Sequence, residues 1–378
     1  MKSSAVNGLR IAMFGHKRMP SREGGIEVVV TELSTRMAAL GHQVTCYNRS
    51  GHHVSGSEYD QPTSCTYQGV RLKKVWTVNK RGLAAMSASV SAAFCAAFGK
   101  YDIVHIHAEG PAFMCWLPRF LGKKVIVTVH GLDWARTKWG KFASWYIRTG
   151  EKCAVKYANQ IIVLSTAVQD YFRKTYNRET VFIPNGVVRP EIRKADMIDK
   201  NWGLEKDQYV LFLGRLVPEK GIHYLVEAWK GVSTTMKLVI AGGSSDTSEY
   251  MDKLQKMAGG NVIFTGFQQG QVLEELYSNA YLYVLPSDLE GMPLSLLEAM
   301  SFGNCCLVSS IDECTQVVEN HGVIFEKGNT DDLRDKLQML VDHPAEVRKY
   351  KETASAFICG KYNWDDVVAR TLDLYRNQ

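Results

Sequence analysis

Short apolar runs recur along the chain, and between them apolar positions return every three or four residues. The runs predict strands at 9–14, 43–47, 103–107, 124–128 and 160–164, with helical periodicity at 25–40, 83–98, 142–156 and 165–174. A second series of strands is expected at 209–213, 237–241, 262–265, 282–285 and 305–309, again with helical segments between them. Buried strands alternating with crossover helices are the pattern of an α/β protein with doubly wound parallel sheets. Two such series predict two Rossmann-like domains in tandem, at 1–188 and 189–360, joined by the charged stretch 187–206 that holds Pro190 and Gly203. The last segment, 361–378, repeats Trp364, Val367, Val368, Leu372 and Tyr375 at helical spacing and is expected to pack back across the linker.

Composition narrows the class. The 378 residues exceed one compact core, and 46% hydrophobic with 22% charged residues excludes a disordered, collagenous or disulfide-scaffold protein. The nine cysteines are scattered without a Cys-x-x-Cys pair, so reduced thiols in a cytosol are expected. At the start, the apolar stretch 11–15 is cut short by His16, Lys17 and Arg18, which is no signal peptide. The longest uncharged run, 82–99, is rich in Ala and Ser and reads as a buried helix rather than a membrane span.

The net charge of +6 hides an asymmetry: residues 1–190 hold 26 Lys and Arg against 11 Asp and Glu, residues 191–378 hold 19 against 28. A basic first lobe suits an anionic surface or a phosphorylated substrate. The acidic second lobe argues against a nucleic-acid clamp that uses both halves.

Ligands of open parallel sheets bind beyond the carboxyl ends of the strands, and each motif with chemistry in it follows such an end, so the site is expected in the cleft where the two domains face each other. After the first strand, Gly24-Gly25 precedes a helix, either as a tight turn or as a place where backbone amides approach a phosphate. The second series opens with GRLVPEKG, 214–221, which is not a Walker loop. Its Arg215 and Lys220 are either surface cations at a turn or a fork donor and a point charge converging on a diphosphate. The stretch 286–303 places Glu290 before a helix and Glu298 inside it, eight residues on and on the same side, with Gly291, Met292, Pro293 and Leu294 forming the helix start. His130 follows a strand of the first half in VTVHGLDW, and His105 and His107 share one strand face in DIVHIHAEG. These histidines have no carboxylate at metal-ligand spacing, and no metal is expected.

With these residues in view the chain resembles the retaining glycosyltransferases of the GT-B fold, family 4, over nearly its whole length. The resemblance rests on the Glu, seven residues, Glu motif, the Gly-Arg-Leu…Lys-Gly loop and the IPNGV segment at 183–187. It implies that Glu290 contacts the donor sugar, Glu298 the ribose, Arg215 and Lys220 the diphosphate, and Gly25 the phosphate or the transferring sugar. It also implies that His130 supports the transfer by hydrogen bonding; His107, nearest the end of its strand, is expected as an acceptor contact. The opening residues are similar to capsule and exopolysaccharide rhamnosyltransferases but carry Glu23 and Ile26 where an aromatic residue often stands, which leaves the transferred sugar open.

The implied reaction is a same-face substitution from a UDP-, dTDP- or GDP-linked sugar to a lipid-linked or soluble glycan acceptor, without metal or other cofactor. A GT-B sugar-nucleotide epimerase, a phosphorylase or an inactive sugar-nucleotide-binding scaffold remain as alternatives. Trp134, Trp139, Phe142, Trp145 and Tyr146 interleave with Arg136, Lys138, Lys141 and Arg148, as in a solvated helix or a helix lying on an anionic membrane surface. A cytoplasmic enzyme, peripheral on the inner face of the plasma membrane, is the corresponding expectation.

Overall fold

The computed structural model describes residues 8–50, 65–78, 80, 83–135, 140–243 and 248–376. The chain divides at 185/186 and again at 363/364, so unit 1 takes both the first part of the chain and its last helix, and unit 2 is the stretch between.

Among the described residues unit 1 is built on a sheet of β1 (Arg10–Phe14), β2 (Gln43–Arg49), β3 (Thr66–Tyr67), β4 (Val70–Val75), β5 (Ile103–His107), β6 (Lys124–Val129), β7 (Gln160–Val163) and β8 (Val181–Phe182). Their order is β3-β4-β2-β1-β5-β6-β7-β8, parallel except for β3 against β4. The central strands β1, β5 and β6 are buried almost throughout, as strands covered on both faces must be. Its helices are α1 (Gly25–Ala39), α2 (Leu83–Phe98), α3 (Glu109–Ala112), α4 (Trp116–Phe120), α5 (Lys141–Tyr157) and α6 (Thr166–Tyr176).

All five strands expected here are present, and three more were not foreseen. β4, VRLKKV, buries only its two valines, so its charged middle hides it from a search for apolar runs. β3 and β8 are two residues each. The run 82–99 does contain a helix, but α2 buries one face only: its alanines meet the protein while Phe94 and Phe98 stay 48% and 71% exposed.

Unit 2 begins with α7 (Met197–Trp202), and its sheet has the order β11-β10-β9-β12-β13-β14, parallel throughout. The strands are β9 (Tyr209–Leu213), β10 (Lys237–Ala241), β11 (Val262–Gly266), β12 (Leu282–Leu285), β13 (Cys306–Ser309) and β14 (Val323–Phe325). Between and after them run α8 (Ile222–Trp229), α9 (Ser248–Met257), α10 (Gly270–Asn279), α11 (Leu294–Ser301), α12 (Asp312–Val318), α13 (Thr330–Asp342) and α14 (Pro344–Lys361). The stretch 187–206 is more than the connector expected from its charge. Val187 bridges to Asn363, and the Glu275 carboxylate accepts the Asp196 and Ile198 amides at 3.0 and 3.1 Å, capping α7.

The last helix, α15 (Trp364–Arg376), lies against α1. Trp364, Val367, Val368, Leu372 and Tyr375 are all buried, and Arg36 pairs with Asp365 at 2.6 Å. The Tyr375 hydroxyl stands 2.6 Å from His105 Nδ1, and the other ring nitrogen of His105 meets Thr128 Oγ1 at 2.7 Å. Tyr375→Phe strands a buried ring nitrogen and is expected to cost about 1 to 3 kcal/mol, read as a lower urea midpoint in equilibrium unfolding.

Candidate active site

Strand order reverses between β9 and β12 in unit 2, so the connections of these neighbours leave in opposite directions and their carboxyl ends open a crevice. The first side of it is the loop 214–221 after β9, which closes with a turn of 3-10 helix at Pro218–Lys220. Gly221 follows in the left-handed region, φ +65°, and a Cβ there would stand 1.9 Å from the Pro286 carbonyl oxygen. The Asp288 amide donates to Glu219 O at 2.9 Å, a second backbone tie between the two loops.

The ties bring Lys220 to Glu290. Lys220 Nζ is 2.5 Å from Glu290 Oε1, and the wholly buried Ser287 donates its hydroxyl to the same oxygen at 2.6 Å. The two charged side chains are only 12% and 9% exposed. A pair this far from water keeps its charges because each is matched; removing one partner leaves the other stranded.

α11 starts at Leu294 behind Pro293 and has no side-chain cap. Gly291 and Pro293 are buried; Met292 and Leu294 are half-buried. Glu298 lies one turn into α11, where it accepts the Tyr277 hydroxyl at 3.3 Å. The two glutamates therefore rest on different partners instead of forming one carboxylate pair. Arg215 stands half-buried at the start of the 214–221 loop, while Lys220 is engaged by Glu290. Ser287 and Tyr277 escaped the sequence reading. Ser287 was visible as a hydroxyl three residues before Glu290, but Tyr277 reaches Glu298 from another helix.

Unit 1 repeats the arrangement, with its strand order reversing between β1 and β5. Gly15, φ +113°, would bring a Cβ within 2.0 Å of His107 O, so the loop after β1 lies directly on the end of β5. Gly24 caps α1 and Gly25 opens it, exposed. The buried Glu27 in the first turn accepts the Lys17 amide at 2.9 Å and so folds the loop back onto the helix.

His105 and His107 do share a face, their rings stacked 4.2 Å apart, and His107 Nδ1 meets His130 Nε2 at 3.1 Å. His107 is 0% exposed, with His130 as its ring partner. This end of β5 is interior, because the loop at Gly15 covers it. Burial pushes the His105 ring down to about 3, holds His107 well below its ordinary range, and pushes His16, bonded to Asn48 at 3.0 Å, down to about 4. These three rings are neutral at pH 7. Among the described residues no group of three His, Cys, Asp or Glu side chains could hold a metal ion.

α5 follows. Its outward positions are Lys141, Phe142, Trp145, Arg148, Lys152 and Lys156, with Phe142 and Trp145 64% and 58% exposed and their rings 5.8 Å apart. The single acid of the helix, Glu151, is 0% exposed. Tyr146 is buried, and Trp134 lies beneath the Arg148 guanidinium at 4.1 Å. Arg136, Lys138 and Trp139 lie outside the described residues. Among the described residues no helix is long and apolar enough to cross a membrane.

Two parallel α/β units in tandem, each with polar side chains gathered where strand order reverses, define the GT-B class of glycosyltransferase. The family model described as "Glycosyltransferase Family 4" matches residues 23–189, and the one described as "Glycosyl transferases group 1" matches 194–357. An uncharacterized glycosyltransferase of Methanocaldococcus jannaschii is 24% identical over 97% of this chain and 98% of its own. The Escherichia coli UDP-Gal:alpha-D-GlcNAc-diphosphoundecaprenol alpha-1,3-galactosyltransferase is 28% identical over 73% of this chain and 75% of its own. Among solved structures, sucrose-phosphate synthase from Thermosynechococcus elongatus superposes with a TM-score of 0.83 at 21% identity, covering 97% of this chain and 98% of that one, a likeness of fold. The chain belongs to the GT-B glycosyltransferases of the family 4 kind.

Gly221→Ala tests the crevice itself. A methyl group in that left-handed, crowded position must push the loop from the Pro286 carbonyl, and a loss of about 1 to 3 kcal/mol in chemical unfolding is expected.

Proposed function

We propose that the chain is a retaining glycosyltransferase that moves a hexosyl or deoxyhexosyl group from a nucleoside-diphosphate sugar to a hydroxyl of a glycan acceptor in surface polysaccharide synthesis. The observation that carries the reading is the Lys220–Glu290 pair beside the uncapped start of α11, at the place where strand order reverses. A cation, a carboxylate and helix-start amides together suit a sugar diphosphate: hydroxyls for Glu290, phosphate oxygens for Lys220, Arg215 and the amides. Glu298, held by Tyr277, takes the ribose. Gly25 and His130 serve the transferring sugar from unit 1, and His107 braces His130.

In this reading the acceptor oxygen forms a bond to the anomeric carbon on the face from which the diphosphate leaves. The carbon–oxygen bond to phosphate breaks with its electron pair going to the diphosphate, which takes up the acceptor's proton. Lys220, Arg215 and the α11 amides offset the charge that develops there, so no metal is called for. The name of the Escherichia coli relative, with UDP-galactose and a diphosphoundecaprenol-linked acceptor, supports UDP among the UDP, dTDP and GDP donors and a lipid-linked acceptor.

Transfer assays with a panel of sugar nucleotides test this. Glu298→Ala is expected to raise the donor Kd, whereas Glu290→Ala and Arg215→Ala lower turnover by about 10² to 10³; native transfer persists in EDTA. Near-native activity in both turnover variants rejects the assignment.

The outward face of α5 combines Lys141, Arg148, Lys152 and Lys156 with two exposed rings, a match to an anionic lipid surface on the cytoplasmic side of a membrane. Vesicle co-sedimentation is expected to need anionic lipid, to weaken with salt, and to fall when Lys141 and Lys152 become Glu. Binding that ignores vesicle charge points to a soluble acceptor instead.

A further inference from the structure

The ends of β5 and β6 carry, beyond His107 and His130, a buried network that the transfer reading leaves unused. Gly150 of α5 lies so close to α3 that a Cβ would stand 2.0 Å from Glu109 O. That approach sets Glu109 and Glu151, both 0% exposed, side by side. Glu109 Oε2 accepts the Asp133 amide at 2.8 Å, and Glu151 Oε2 accepts the Trp134 indole N–H at 3.1 Å. Asp133 and Trp134 belong to the single turn of 3-10 helix, Asp133–Ala135, that follows His130. We propose that Glu109 and Glu151 are positioning residues for the transfer: by gripping the Asp133 amide and the Trp134 indole they fix the segment that begins at His130. The proposal rests on the reading that places His130 beside the transferring sugar.

The grip depends on where one proton sits. Two wholly buried carboxyls in contact cannot both be ionised. Glu151 already takes three donors, since the hydroxyls of Tyr171, at 2.9 Å, and Tyr176 reach its Oε1. Glu109 has the Asp133 amide alone, and its Oε1 takes no donor. The proton therefore belongs to Glu109. Burial first, then Glu151 and Asp133, hold its carboxyl well above 4.5. The groups facing the pair are Asp133 from the 3-10 turn, Tyr171 and Tyr176 from α6, and Arg148, over Trp134, with Tyr146, at Gly110, from α5. Both α6 hydroxyls stay protonated in the neutral range, Tyr171 pushed up to about 12 and Tyr176 higher.

The sign follows. A raised carboxyl contributes stability that is complete below its unfolded value and is lost as pH rises through the folded one. Ionised Glu109 repels Glu151, and the grip on 133–134 loosens on the alkaline side. Glutamine cannot ionise, yet its carbonyl oxygen still accepts from Asp133.

The experiment compares the full-length native enzyme with Glu109→Gln and Glu109→Ala from about pH 6 to about pH 9.5. Native turnover is expected to fall on the alkaline limb, Glu109→Gln to lack that limb, and Glu109→Ala to lose about 10² in kcat at unchanged donor KM. An independent readout is the pH titration of Trp134 fluorescence, taken as native minus Trp134→Phe, which should shift along the same limb and stay flat in Glu109→Gln. A native enzyme without the limb, the same limb in Glu109→Gln, or native turnover in Glu109→Ala overturns the proposal. Full transfer by His130→Ala overturns the functional reading beneath it, and the fluorescence titration then decides the grip by itself.

Discussion

Both sheets rest on a close approach of backbone to backbone that a side chain would prevent. In unit 1 Gly15 lies on the carbonyl of His107, and in unit 2 Gly221 lies on the carbonyl of Pro286; a Cβ at either would come within 2.0 Å of the oxygen. In each case the loop leaving one central strand seals against the end of the neighbour across the reversal of strand order. What that contact positions differs. Over β5 it closes off His107; beside β12 it carries Lys220 to Glu290.

The buried charges obey one rule in two forms. Lys220 and Glu290 keep opposite charges in a place with little water, with Ser287 as a third partner. Glu109 and Glu151 are alike in sign, so they coexist only by sharing a proton and recruiting the donors of Trp134, Tyr171 and Tyr176 around it. The first arrangement joins two loops where strand order reverses. The second holds backbone in place.

The legible parts of this fold are those whose burial has a period. β9 and β12 are apolar throughout, β1 and β5 are buried along nearly their whole length, and α15 spells most of its buried face in five apolar residues. β4 was hidden because a strand with one strong neighbour tolerates Arg71, Lys73 and Lys74 along its length. In the candidate site the loops could be read, since glycines and charges cluster in sequence: 214–221 and 286–298 are each one short stretch. The partners could not. Tyr277 comes to Glu298 from a separate helix, and Glu109 meets Glu151 through a glycine contact between α3 and α5. His107 is the opposite case, a strand-end residue whose spacing was legible while the loop that covers it was not.

The membership of α15 in unit 1 sets an order of assembly. The chain emerges from the ribosome from its amino end, and domains fold as units as they appear. Unit 2 lies entirely within 186–363, so its sheet is complete before Trp364–Arg376 exists. Unit 1 begins first but finishes last: until the final helix is made, α1 lacks its neighbour and His105 lacks the hydroxyl of Tyr375. During synthesis the first domain thus waits, lacking its last helix, while the whole sheet of the second has already been made.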